Sequence, residues 1–232
     1  MRNHLVLSIL FISLSHLSLS AQKELVKEAG SYDAIHLGGP FEVTLVEGKE
    51  GRIVFDGNAE DLEKVTYKIK NGALYIGMEK TRFWGSWNMK TEKIFVEIPV
   101  EEINELTISG SGKVSGSIPE TADLKLAISG SGNLFVKTDV ERLDCAISGS
   151  GDINASGRAD EIKISISGSG NVNTNEIAAE SVKVRIAGSG DAKIYATEQL
   201  DVSIAGSGDV QYKGNPKNIS QSVAGSGKIR SF

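Results

Sequence analysis

Cysteine and histidine are scarce in this chain, and each shortage excludes a class of site. The 232 residues include one cysteine, Cys145, so no disulfide can form within the chain. Of the three histidines, only His36 lies beyond the first 21 residues. A metal site with several histidine ligands is therefore excluded after residue 21, and a Ser-His-Asp or Cys-His catalytic set would have to use His36.

An excess of basic residues and a long apolar run are also missing. Lys and Arg number 25 against 30 Asp and Glu, for a net charge of −5. Because phosphate binding requires a concentrated basic surface, we predict no nucleic-acid partner. No stretch after residue 21 approaches the ~20 apolar residues of a membrane span, so we predict no transmembrane segment in the mature chain. No pattern indicates a cofactor.

Residues 1–21 have the pattern of a secretory signal peptide. Arg2 precedes an apolar run from Leu5 to Leu14, and small residues follow, so cleavage is expected after Ser20 or Ala21. We therefore expect an exported protein, located in the periplasm, on the outer surface or in the medium.

One phrase, Ile-Ser-Gly-Ser-Gly with small variations, occurs seven times beyond residue 103. Its first glycines are spaced 18 to 20 residues apart. The glycine pairs, which we expect to form structural turns, are Gly110 and Gly112, Gly130 and Gly132, Gly149 and Gly151, Gly168 and Gly170, Gly188 and Gly190, Gly206 and Gly208, and Gly225 and Gly227.

Apolar residues alternate with polar ones before each phrase, as in Leu124-Lys-Leu-Ala-Ile128. Alternation of this kind predicts a strand with one buried face, and a shorter run after the phrase predicts a second strand in each repeat. Repeats of this length cannot bury an apolar face alone, whereas stacked copies bury a continuous core. The sequence therefore predicts an all-β fold, a right-handed parallel β-helix or solenoid with ~19-residue coils.

The two ends of the mature chain depart from this pattern. Residues 22–102 lack the phrase but keep strand-like runs, and we expect irregular coils there that cap the solenoid and continue into residues 103–232 as one domain. Residues 61–64 are expected to form a helical turn. At the other end Gln221 interrupts an apolar column, which indicates that the last coil is incomplete. We expect its edge to be covered either by Phe232 or by a partner, which includes a second copy of the chain.

The opening Tyr32-Asp-Ala-Ile-His-Leu-Gly-Gly-Pro-Phe-Glu-Val-Thr-Leu45, followed by serial Ile-Ser-Gly-Ser-Gly turns, carries a family resemblance. In these features the chain resembles the bacterial family of autotransporter adhesin head domains, the GIN-domain family. The resemblance covers Tyr32 to the C-terminus and implies a right-handed β-helix with an adhesin-like role. The sequence shows neither a long passenger stalk nor a C-terminal membrane barrel.

Three sets of residues repeat from coil to coil. Asn and Asp follow five of the glycine turns, and we interpret them as a turn-stabilising ladder; the alternative, a calcium site, needs several carboxylates for each ion. Outward charges of mixed sign, such as Lys125 and Asp144, are expected to pair between coils for little net energy. Cys145 aligns with inward apolar residues and is interpreted as core.

Residues 80–90 hold both tryptophans, between two predicted strands. Phe83, Trp84 and Trp87 are the candidate ligand-binding residues, because exposed aromatic side chains stack on sugar rings or anchor a protein partner. The alternative is that these rings cover the end of the solenoid as an apolar lid.

We weigh three functions. The first is a non-catalytic binding or adhesion module for a surface glycan or protein, with no catalytic or metal-binding residues. The second is a carbohydrate-active β-helix enzyme, which would need several acids and bases in one groove. The third is a structural protein that assembles through its coil ends.

Overall fold

The computed structural model describes residues 22–79 and 93–232, which form seventeen strands and one short helix. The strands before the repeats are β1 (Gln22–Glu28), β2 (Ala34–Gly38), β3 (Phe41–Glu47), β4 (Arg52–Asn58), β5 (Val65–Lys70), β6 (Ala73–Met78) and β7 (Ile94–Val100), with helix α1 (Ala59–Leu62) between β4 and β5. The strands of the repeats are β8 (Glu105–Gly110), β9 (Lys113–Gly130), β10 (Asn133–Gly149), β11 (Asp152–Gly168), β12 (Asn171–Asn173), β13 (Ala179–Gly188), β14 (Ala192–Gly206), β15 (Val210–Lys213), β16 (Asn218–Gly225) and β17 (Ile229–Ser231).

The repeats stack as a parallel β-solenoid of ~19-residue coils, as the sequence predicts. Gly130 pairs with Gly110 in the preceding coil and with Gly149 in the next one, and the first glycines of the later repeats continue this column to Gly225. In the central coils a single strand runs from one glycine turn to the next, so the two strands expected for each repeat are joined there into one.

The alternating apolar residues form the core. Leu126, Cys145 and Ile164 occupy one inward column and are fully buried. Burial of side chains of this size stabilises the fold by roughly 1.5–3 kcal/mol each.

Both glycines of the repeated turn are required by the backbone. Gly149 has φ of 135°, a conformation that residues with a side chain rarely adopt. Gly151 has no such constraint, but a Cβ added to it would lie 2.2 Å from the carbonyl oxygen of Gly132 in the coil below. The close stacking of coils therefore explains why the phrase keeps two glycines.

Coils at the N-terminal end are not stacked in the order of the chain. Strand β2 lies between β6 and β8, so that Ile35 pairs with both Leu74 and Leu106. Strand β3 lies in the same way between β7 and β9. The coil formed by β2 and β3 is thus first in the chain but second in the stack. The coil formed by β6 and β7 lies on its outer side, away from β8 and β9.

Antiparallel strands close this end, in agreement with the predicted cap. Strand β5 pairs antiparallel with β6, β4 with β7, and β1 with β4. Helix α1 joins β4 to β5, and its N-terminus is capped by Asn58, whose Oδ1 accepts a hydrogen bond of 2.9 Å from the Glu60 amide. The expected helical turn at residues 61–64 therefore begins earlier, at Ala59.

The C-terminal end stays open in the described part of the chain. Strand β16 pairs with β14 and has no strand on its other edge among the described residues. Ile219 and Val223 are 47% and 43% exposed, although the residues below them, Leu200 and Ile204, are buried. Of the two predicted covers for this coil, Phe232 or a partner, the structure does not support Phe232, because this residue is 60% exposed.

Candidate functional site

The Asn and Asp residues that follow the glycine turns form a hydrogen-bonded ladder. Asp152 Oδ1 accepts bonds from the Asn171 amide (3.1 Å) and from Asn171 Nδ2 (2.8 Å). The next three rungs repeat the pattern: Asn171 accepts from the Asp191 amide, Asp191 from the Asp209 amide, and Asp209 from the Lys228 amide. Each side chain thus caps a backbone N–H of the following coil, which favours the turn ladder over a calcium site.

Within residues 22–79 and 93–232, no three His, Cys, Asp or Glu side chains lie close enough together to hold a metal ion.

A second outward column carries charges that pair between coils. Lys163 Nζ lies 2.8 Å from Asp144 Oδ2, and Lys183 Nζ lies 3.5 Å from Asp201 Oδ2. Partial burial acts to raise the pKa of the Glu105 carboxyl, but the hydrogen bonds that Lys125 and Thr107 donate to it outweigh this effect and hold the pKa below its usual range. Each of these acids is paired with a lysine of a neighbouring coil. Asp144 also lines a groove of about 380 Å³ together with two further acids and four bases, which are Asp123, Glu161, Lys125, Arg142, Lys163 and Lys183.

Beside the charged column lies a shallow trough of about 660 Å³ along the outer face of the solenoid. We call it the small-residue trough, because alanine and serine are more than half of the residues that line it: Ala127, Ser129, Ala146, Ser148, Ser165, Ser167, Ala187, Ser203 and Ala205. Lys125 and Arg185 are the charged residues that line it.

At the N-terminal end the same face contains a second concavity of about 560 Å³, which we call the N-terminal recess. Gly38 and Gly77 line its floor, and His36 and Tyr75 line one side. The imidazole of His36 stacks on the Tyr75 ring at a centroid separation of 4.8 Å and an interplanar angle of 18°. The Lys68 ammonium lies 5.3 Å from the centre of the Tyr75 ring.

The sequence did not predict this recess. His36, Tyr75 and Lys68 are far apart in the chain and come together because β2 lies against β6, and β6 against β5. A signal is nevertheless present in the sequence: Gly38 and Gly77 occupy strand positions where the later repeats carry serine or alanine.

The predicted ligand-binding residues Phe83, Trp84 and Trp87 lie outside the described residues. The ends of their segment are described. Strand β6 ends at Met78 and β7 begins at Ile94, where Gly77 pairs with Gly38 and Ile94 pairs with Phe41. The described part of β6 thus ends close in sequence to Gly77, which lines the recess.

Cys145 behaves as the sequence predicts. Its side chain is fully buried, and this burial raises the pKa of the thiol far above its usual range. A thiol in this state is a core residue and not a nucleophile.

Residues 31–216 match the family described as "Putative auto-transporter adhesin, head GIN domain". The chain belongs to this GIN-domain family. The match covers most of the solenoid, including the inserted β2–β3 rung and six of the seven glycine turns. No curated protein is significantly similar to this GIN-domain chain.

Several solved structures share the fold. A protein named a putative adhesin from Bacteroides fragilis is 22% identical, with a TM-score of 0.79, and the alignment covers 91% of this chain and 97% of that one. A protein named a putative lipid binding protein from Parabacteroides distasonis is 23% identical, with a TM-score of 0.73 and coverage of 91% and 96%. A protein named a putative adhesin from Parabacteroides merdae is 21% identical, with a TM-score of 0.67 and the same coverage.

None of the helices in the described ranges is long and apolar enough to cross a membrane.

Proposed function

We propose that this GIN-domain protein is an exported, non-catalytic binding module of the adhesion type, which contacts a surface glycan or protein through the N-terminal end of its solenoid. The observation that carries the proposal is the N-terminal recess, since a concave site that combines aromatic and polar groups is the usual form of a ligand site. The leader-like residues 1–21 and the adhesin family support export to the cell surface, the periplasm or the medium.

The tryptophan segment belongs to the proposed site. Residues 80–92 join β6 beside the recess, and the segment holds Phe83, Trp84 and Trp87. Tryptophan is enriched among residues that dominate binding energy, because it buries a large rigid surface at little entropic cost. We therefore propose that these three side chains contact the ligand together with the recess.

The catalytic alternative has less support. A carbohydrate-active enzyme needs acids that are free to exchange protons with substrate. On the outer face, Glu105, Asp144 and Asp201 each pair with a lysine of a neighbouring coil. Asp123 and Asp144, which line one groove together with Glu161, are bonded to Arg142 and Lys163 respectively.

The test is adhesion of the chain from residue 22 onward to bacterial and host cells, compared with a variant in which Phe83, Trp84 and Trp87 are alanine. We expect the variant to lose adhesion while its melting temperature stays within a few degrees of the parent. Phe135→Ala is the matched control, because Phe135 is 43% exposed and lies in the strand that follows the glycine turn, away from the recess. Equal adhesion of all three proteins would remove the aromatic segment from the site, and a large loss of stability in the triple variant would favour the lid instead.

Location is tested separately, by protease treatment of intact cells. Degradation without lysis supports surface exposure, whereas full protection until the outer membrane is opened supports a periplasmic protein.

A second candidate function is assembly through the last coil, and the exposed strand β16 favours it. Two copies of β16 in antiparallel pairing about Gln221 would place Ile219 of one copy opposite Val223 of the other, with the two glutamine amides facing each other. Such a pairing is self-complementary, as a two-fold interface requires, and it would cover both exposed apolar side chains.

Light scattering tests this assembly directly. The expected result is a dimer that Gln221→Pro converts to a monomer, since proline cannot donate a strand hydrogen bond. Asn218→Ser is a conservative control at the end of the same strand. A parent chain that is monomeric at all concentrations would exclude the interface.

A further inference from the structure

Two glycines in the floor of the N-terminal recess interrupt a column of small side chains. Gly77 pairs with Gly38 between β6 and β2, and the pairing of Leu37 with Ile108 places Gly38 beside Ser109. From Ser109 onward the column continues as serine or alanine, beginning with the pairing of Ser109 and Ser129. The recess is therefore located where this column lacks side chains.

The backbone does not require glycine at either position. Neither Gly38 nor Gly77 has a left-handed φ. A Cβ added to Gly38 would lie 3.8 Å from its nearest neighbour, the Ile76 carbonyl oxygen, and a Cβ added to Gly77 would lie 3.4 Å from Thr66 Oγ1. Both are ordinary contacts, in contrast to the 2.2 Å approach at Gly149.

Glycine within a strand has a cost, because it loses more conformational freedom on folding and packs no side chain. That cost is roughly 0.5–1 kcal/mol relative to alanine. Since packing does not explain the two glycines, their effect is to leave open space above the sheet where a ligand can approach the backbone.

The groups around this space match a sugar ring. The stacked rings of His36 and Tyr75 form a wall that is held in place by their mutual contact. Thr66, beside Gly77, and Ser109, beside Gly38, bring hydroxyl groups to the recess, and Lys68 also lines it. A saccharide presents apolar C–H groups together with hydroxyls that donate and accept hydrogen bonds, so an aromatic wall with several hydroxyl partners suits it.

The recess continues into the small-residue trough. Ser109 lines the recess, its neighbour Ser129 lines the trough, and the trough extends along the outer face to Ala205. A polymer bound in the recess would therefore continue along the solenoid past Lys125 and Arg185, which also line the trough. A volume of about 560 Å³ lies within the range of roughly 300–1,000 Å³ that small-molecule sites occupy.

We infer that the recess over Gly38 and Gly77 is a glycan-binding site, in which one saccharide unit lies on the bare backbone against the His36–Tyr75 wall and the chain of sugars continues along the small-residue trough. This inference rests on the proposed binding function and names its ligand class.

The test fills the recess without altering the fold. The double variant Gly38→Ser, Gly77→Ser gives both positions the residue that Ser109 and Ser129 provide in the next two coils. We expect it to fold with an unchanged or higher melting temperature and to lose about tenfold or more of its affinity, that is about 1.4 kcal/mol, for the glycans that the parent chain binds on an oligosaccharide array. Ser156→Ala, in the strand after a glycine turn and outside both the recess and the small-residue trough, is the control and should bind as the parent does.

A second variant keeps the inference testable if the double variant folds poorly. Tyr75→Ala removes the wall while leaving the backbone of the exposed face intact, and it too should lose glycan binding. Equal glycan affinity of the parent and either folded recess variant would overturn the inference. A parent chain that adheres to cells through a protein and binds no oligosaccharide would overturn it as well, while the proposed adhesion function would stand. A parent chain that adheres to nothing would remove the proposed function itself.

Discussion

A Cβ added to Gly149 would lie 2.2 Å from the carbonyl oxygen of Gly130, its partner in the coil below. Real Cβ atoms do not approach a carbonyl oxygen so closely, and the oxygen belongs to a backbone that cannot move without disturbing its own neighbours. The spacing of coils, set by backbone hydrogen bonds, therefore excludes every side chain at this position.

From this contact we expect Gly149→Ala to be strongly destabilising. The substitution places a side chain in a left-handed conformation and against a neighbouring backbone, so the loss of unfolding free energy should be at least about 2 kcal/mol. Gly77→Ala is the control within the same kind of strand, and it should leave stability equal or slightly higher. Urea unfolding of the two variants measures the difference, and similar midpoints would contradict the assigned role of the turn.

The Asn and Asp ladder should contribute measurably to stability. Asp191→Ala removes the carboxylate oxygen that accepts a bond of 2.7 Å from the Asp209 amide, and the cost of such a lost partner is about 1–2 kcal/mol. Asp191→Asn keeps an oxygen acceptor and should retain most of the stability. Asp201→Ala breaks an exposed pair with Lys183 and should cost less than about 1 kcal/mol. If the Asp191→Ala variant unfolds at the same urea concentration as the parent, the ladder does not stabilise the turns.

The architecture of the repeats was predictable because each local signal agrees with the stacked arrangement. The alternation around Cys145 sets which side chains face inward, and the glycine pairs mark where consecutive coils approach most closely. Both signals recur every 18 to 20 residues, so one repeat predicts the next.

The position of β2 was not predictable in the same way. The pattern of Ala34–Gly38 indicates a strand with one buried face, but it carries no information about which strands lie beside it. The choice of β6 and β8 as its neighbours depends on contacts between residues far apart in the chain, such as Ile35 with Leu74 and Leu106. The N-terminal recess follows from this arrangement, and it was missed for the same reason.

Cys145 should be unreactive in the folded protein. Its thiol is buried, and burial raises its pKa, so both access and the thiolate form are suppressed. We expect no labelling by a thiol reagent under native conditions and full labelling in urea. Cys145→Val should cost less than about 1.5 kcal/mol, because Val184 and Val202 occupy the same column, whereas Cys145→Ser should cost roughly 1–3 kcal/mol by burying a hydroxyl. Rapid labelling of the native chain would contradict the inward orientation.

Residues 103–232 should not fold as a stable monomer on their own, although they contain all seven glycine turns. In the complete chain β8 pairs with β2 over Ala34–Leu37, and β9 pairs with β3 over residues 42–45. Without that rung Leu106 and Ile108, which are fully buried in the complete chain, would lie at an open coil end. Uncovered ends of repeat proteins aggregate or unfold, because their apolar face and backbone edge have no partner.

Size-exclusion chromatography and circular dichroism of this fragment, compared with residues 22–232, provide the measurement. We expect the fragment to be aggregated or to melt at a clearly lower temperature. Because Ala34–Glu47 supplies the missing rung, addition of a peptide of residues 30–50 should restore part of the lost stability, whereas a peptide in which Ile35 and Val43 are aspartate should not. A fragment that is monomeric and as stable as residues 22–232 would show that the N-terminal strands are an accessory to the solenoid and not its structural cap.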